Sequence, residues 1–108
     1  MSGQSEWSGA RYATIGVAES LSPELQFMLW AMTDVLQRHS SVEMDYLQVF
    51  ELSPSGDPVN PLNQTIVHTQ EQPPYGATNS MRVDEPVTAK VFIIFEADYA
   101  TMMLASEY

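Results

Sequence analysis

The chain has 108 residues, 44% of them hydrophobic, and sets 14 Asp and Glu against 4 Lys and Arg, for a formal charge of -10 at pH 7. The acids are scattered as singles and pairs through a foldable sequence, which describes a folded domain wrapped in negative potential; bare nucleic acid and anionic lipid surfaces are excluded as partners. The absence of cysteine removes disulfides, thiolate catalysis and cysteine-ligated metal centres, and the length allows one domain that buries roughly two-thirds of its unfolded surface.

Residues 1–10, rich in Ser and Gly with a lone Trp7, read as a flexible tail ahead of a single domain over 11–108. This start lacks the basic and apolar regions of a signal peptide, and the longest apolar stretch, 91–95, is too short to cross a bilayer. A cytoplasmic protein that stays off membranes is expected. Thr14, Ile15 and Val17 suit a short strand over 12–17.

Ser22 as N-cap, Pro23 in the first turn and Glu24 at the positive end of the dipole predict a helix over 23–39. Leu25, Met28, Leu29, Met32, Val35 and Leu36 recur at helical spacing and form its apolar stripe. Phe27 and Trp30 fall roughly opposite that stripe, beside Asp34. Either a second element covers them or they form an exposed aromatic patch.

Residues 46–52 (YLQVFEL) read as a strand, 53–63, with three prolines and a glycine, as a long hairpin loop, and 64–70 (QTIVHTQ) as a second strand. A break at 72–76 and a short extended piece at 81–83 follow. Residues 87–95 are apolar on both faces from Val91 onward, which places them centrally in a sheet. Asp98 looks like the N-cap of a short helix over 99–107, whose Met102, Met103 and Leu104 pack on the sheet or over Phe27 and Trp30. The expected fold is α+β, in the order β-α-β-β-(β)-β-α: a mostly antiparallel sheet of 4–5 strands with one long and one short helix packed on it. A ferredoxin-like arrangement is the alternative, weakened by the single long helix.

Chemistry-bearing motifs are few. His68, in mid-strand, is either a general base or metal ligand or a plain histidine on a half-exposed face. The pairs Glu43/Asp45, Asp84/Glu85 and Glu96/Asp98 flank strands. If the strand starting at Tyr46 runs antiparallel to the one ending at Phe95, Asp45 converges with Glu96 and Asp98, giving oxygen ligands for Mg²⁺ or Ca²⁺ or simply a solvated strand end. There is no phosphate-binding glycine loop, nucleophile elbow or two-histidine metal motif. Arg11, Arg38, Arg82 and Lys90 are too few to track a phosphate backbone. No enzymatic activity and no cofactor are expected.

Several segments are familiar together: Arg11-Tyr12-Ala13-Thr14, Leu29-Trp30, the run from Asp45 to Leu52, His68-Thr69-Gln70-Glu71, Ala89-Lys90-Val91-Phe92 and the run from Asp98 to Met103. The set resembles DUF960, a small family of unknown function found in Firmicutes, staphylococci and lactobacilli among them, and in their mobile elements. The resemblance covers residues 11–108, and the proline-rich 53–63 loop is longer than the family pattern. It implies a bacterial cytoplasm, or a host cytoplasm for a phage-encoded copy, and carries no activity or site residues with it.

The functional expectation is a non-enzymatic acidic interaction protein. In its sharp form it is a phage or mobile-element inhibitor of the anti-CRISPR or DNA-mimic type, whose carboxylates occupy a basic nucleic-acid-binding surface of a partner protein. Phe27, Trp30, Asp34, Glu43, Asp45, Asp84 and Glu85 are the candidate contacts. The alternative is a housekeeping domain that binds a small molecule or divalent metal through His68 and the strand-end carboxylates.

Overall fold

A computed structural model describes residues 9–108. The elements run β1 (Ala10–Ala13), α1 (Ile15–Ser20), α2 (Pro23–His39), β2 (Leu47–Pro54), β3 (Gln64–Gln70), β4 (Tyr75–Met81), β5 (Ala89–Phe95) and β6 (Tyr99–Leu104), with a closing 3₁₀ turn at Ala105–Glu107. The strands form one six-stranded sheet in the order β1-β6-β5-β2-β3-β4, in which only β1 and β6 pair in parallel. Because β1 and β2 run in the same direction, the chain must cross the sheet to connect them, and α1 and α2 make that crossing. The α+β class and the mostly antiparallel sheet are as expected, and the ferredoxin-like order is not observed.

Helix α2 starts as its sequence predicts: the Ser22 side chain accepts from Leu25 N–H, and Pro23 occupies the first turn. Leu25, Leu29, Met32 and Leu36 are buried from its stripe. Val35 is not; it is 51% exposed. Thr33 takes the buried position, its hydroxyl satisfied by donating to the Trp30 carbonyl at 2.7 Å. The helix packs on Phe50, Leu52, Ile66, Val91, Ile93 and Met102, which the strand alternation turns to one face of the sheet. Strand β5 is central, between β2 and β6, as its two-sided hydrophobicity requires.

Four expectations are corrected. Residues 14–17 do not continue β1: the Thr14 side chain accepts from Val17 N–H and caps α1, so the second helix lies at the N-terminal end of the fold. Residues 99–107 are not a helix. The Glu96 N–H donates to the Tyr99 carbonyl at 2.8 Å in a tight reversal, and Ala100 and Met102 are then buried against the core while Thr101 and Met103 face away. The expected break at 72–76 is a shorter turn, after which β4 pairs with β3 along seven residues from Tyr75 to Met81. Its Gly76, Ala77 and Asn79 have weak strand preference, and pairing to β3 supplies what propensity does not. Ala10 already pairs with Tyr99; the rest of the tail reading, over residues 1–8 and including Trp7, lies outside the described residues.

The C-terminal turn is tied to α1. Glu107 Oε1 accepts from the Thr14 hydroxyl at 2.7 Å and from Leu104 N–H at 2.8 Å. Those bonds, Thr14's first, hold its carboxyl below the usual carboxylate range. Gly16 is what lets it approach, since a Cβ there would stand 2.5 Å from Glu107 Oε2.

Ile93 is fully buried at the centre of this core. Ile93→Ala is expected to lower unfolding free energy by about 2–5 kcal/mol, read from the urea midpoint at unchanged m-value.

Candidate interaction surface

The outward side of α2 carries an open apolar groove of about 660 Å³, lined by Pro23, Glu24, Phe27, Met28, Ala31 and Met81. Phe27 is 75% exposed, an uncommon placement for a phenylalanine on a helix that already buries another face. Glu24 also borders a second depression of about 440 Å³, where Arg82, Asp84 and Glu85 meet the Ser20–Ser22 corner. The fold therefore brings Phe27, Asp84 and Glu85 to one region around Glu24.

The other expected contacts separate from it. Trp30 is half-buried: its ring meets Phe95 edge-on at 6.4 Å, and the Arg11 guanidinium lies 4.9 Å from its centroid. Arg11 Nη2 also donates to Asp34 Oδ1 at 2.6 Å, so both residues take part in fastening β1 to α2. Between the two alternatives for the aromatic pair, Phe27 is exposed and Trp30 is covered, by β5 and β1. Glu43 and Asp45 precede β2, whereas Asp84 and Glu85 precede the antiparallel β5, which puts the two acidic pairs at opposite ends of the sheet. Asp45 does come beside the end of β5, where Phe95 N–H donates to the Tyr46 carbonyl at 2.8 Å. Among the described residues, however, no group of three or more His, Asp or Glu is arranged to hold a metal ion. Asp45 instead caps its own strand, Oδ1 accepting from Tyr46 N–H.

His68 is not on a half-exposed face. It is fully buried, stacked on Phe50 at 4.3 Å with a 16° interplanar angle and met edge-on by Tyr75. Its Nε2 lies 2.7 Å from Gln48 Oε1. Gln48 Nε2 is committed to the Asp45 carbonyl and Gln70 Oε1, so Gln48 presents its oxygen to His68, which donates from Nε2. Gln70 Nε2 in turn donates to the Glu43 and Pro73 carbonyls. This buried amide chain fixes the loop before β2 to the β3–β4 turn. Nδ1 of His68 is buried without a partner, and burial pushes the ring's pKa down to about 4.

The face of the sheet away from α2 was not anticipated from the sequence. Leu47 and Val49 of β2, Val67 of β3, Phe92 and Ile94 of β5 and Met103 of β6 share it, each half-buried. Tyr108 lies edge-on to Phe92 at 5.4 Å, and its phenol raises the pKa of neighbouring Tyr46. Apolar residues at both parities of β2 and β5 are the signal for such a face, but the same pattern also describes a strand buried on both sides.

The topology and the sequence both have counterparts. The chain belongs to the DUF960 family, a staphylococcal protein family of unknown function, whose model matches residues 10–107. A crystal structure of a protein of unknown function from Enterococcus faecalis shares the fold, with a TM-score of 0.73 at 18% identity, covering 100% of this chain and 98% of that one. No curated protein matches the chain. No helix among the described residues is long and apolar enough to cross a membrane.

The buried histidine makes stability acid-sensitive. Its folded pKa lies below the unfolded value near 6.5, so its contribution is complete above pH 6.5 and falls as pH drops toward about 4, while the unfolded chain takes up a proton that the folded one refuses. The loss attributable to this residue is about 3 kcal/mol across that window. Urea midpoints of wild type and His68→Gln from pH 7 to 4 are expected to converge as the pH falls.

Proposed function

We propose that this DUF960 protein is a non-enzymatic, acidic interaction domain of the bacterial cytoplasm that docks on a basic surface of a partner protein. The observation that carries the reading is Phe27, exposed in an apolar groove that adjoins Glu24, Asp84 and Glu85. An apolar anchor within an anionic rim suits a segment that presents an apolar side chain between Lys or Arg residues. The anchor supplies residence time, and the rim, with the net charge of -10, steers the encounter and repels acidic competitors. In the sharper form of this proposal the protein is encoded by a phage or mobile element, and its carboxylates stand in for phosphates on a nucleic-acid-binding partner.

The test is capture of partners from host lysate on immobilised protein, followed by affinity measurement over a salt series. Binding is expected to weaken steeply between about 0.05 and 0.5 M salt, as screening of exposed charge requires. Affinity independent of salt would end the basic-partner reading. Phe27→Asp should abolish capture while shifting stability by no more than about 0.5 kcal/mol, because the side chain is exposed. Trp30→Ala should behave in the opposite way, costing about 2 kcal/mol of stability through its lost contact with Phe95 while leaving capture intact.

A further inference from the structure

Among the described residues no helix or strand covers the sheet face opposite α2, where only Tyr108 rests edge-on against Phe92, and the strand positions on it differ in charge from the rest of the molecule. Along the paired strands that make it, the charged positions are Glu51 and Lys90, which stand directly opposite each other in the β2–β5 register. The strand positions on this face sum to no formal charge in a chain of net charge -10. It offers nothing to attract a basic partner. For a second, equally acidic copy of the chain, it is the surface that can be approached without facing an array of like charges.

We propose that this face is a homodimer interface, formed by two sheets packed face to face about a two-fold axis parallel to the strands and midway between β2 and β5. That line is the middle of the six-strand order, with three strands on either side. The rotation lays β5 of one copy over β2 of the other. Since Leu47 pairs with Ile94, Val49 with Phe92 and Glu51 with Lys90, the same operation sets Phe92 over the partner subunit's Val49 and Lys90 over the partner subunit's Glu51, twice. A two-fold axis across the strands instead lays each strand over its own copy, so Glu51 meets itself or another β2 residue and never lies over Lys90. The charge pair at the centre of the face thus selects one of the two symmetric arrangements, and it is the aligned packing common to β-sandwiches.

The area suffices. Six strands at about 4.8 Å spacing and about 20 Å of length give a flat footprint of about 500 Å², which side-chain relief brings to roughly the 800 Å² per copy of a standard interface. The axis also keeps the two acidic strand ends, each with Asp45, Glu71 and Asp98, on the same side of the dimer. Self-association therefore strengthens with added salt, the reverse of what the groove requires, so this proposal and the basic-partner reading fail separately.

The experiment is sedimentation equilibrium of the full chain across concentration and salt. A species of twice the 12.1 kDa chain mass is expected, with an association constant that rises between about 0.05 and 0.5 M salt. Glu51→Lys and Lys90→Glu, both at exposed positions, should each weaken self-association roughly tenfold or more. Mixing the two variants should restore it as a heterodimer, because every crossing is again Lys over Glu. Concentration-dependent amide shifts across the sheet in wild type, largest in β2 and β5 beside the axis, test the face with no variant at all. Three results would overturn the proposal: a monomer at every concentration and salt, a dimer indifferent to both charge reversals, or a dimer lost with Phe27→Asp.

Discussion

The structure depends on a mismatch in size between one helix and one sheet. Helix α2 has 17 residues, about 25 Å of length and about 10 Å of width, and it crosses a sheet of six strands once. It can shield one face and no more. The alternation of every strand is therefore read out asymmetrically: Phe50, Ile66, Val91, Ile93 and Met102 become a dry core, while their sequence neighbours remain half-wetted. The placement of surface charge follows the same division, with acids concentrated at strand ends and loops and nearly absent from the open face.

The helix also falls short along its covered face, and polar residues complete the seal. Gln48, Gln64, His68 and Gln70 are buried where a larger helical layer would have met them with hydrocarbon. Each amide spans backbone groups that the strands leave unpaired. Gln64 accepts from Val87 N–H and donates to the Ser53 and Val87 carbonyls, closing one end of the sheet as the Gln48–Gln70 chain closes the other. Such networks are stabilising only while every member is satisfied. His68 Nδ1 is the single orphan among them, so acid enters the stability of the fold through this residue.

What could be read from the sequence follows the strength of local signals. Helix α2 was legible to the residue because cap, proline, stripe and dipole all agree, and β3 was legible because QTIVHTQ alternates cleanly between turns. Strand β6 resembles a helix in sequence because YATMML has good helix formers behind an Asp that looks like a cap; its state is decided by a backbone reversal and by pairing to β5, neither of which is local. Thr14, being β-branched, suits a strand, yet its hydroxyl starts a helix. At the candidate surface, the helical wheel placed both aromatic residues off the stripe, and Phe27 is exposed there. Trp30 differs because a residue of another strand, Arg11, reaches across to it, a contact that no helical periodicity contains. The clustering of Asp84 and Glu85 with Glu24 likewise arises from the return of the chain after β4.

The pairing of β1 with β6 has a consequence for the making of the protein. The strand nearest the start of the chain hydrogen-bonds to the one nearest its end, and Glu107 reaches back to Thr14. Strand β1 has no partner strand until β6 is in place, and β5 presents a bare, strongly apolar edge until β6 docks beside it. Such a long-range pairing is slow to close, and the β5 edge stays open to mispairing until it forms. Scattered carboxylates, set at strand ends and turns, keep one such open edge from finding another.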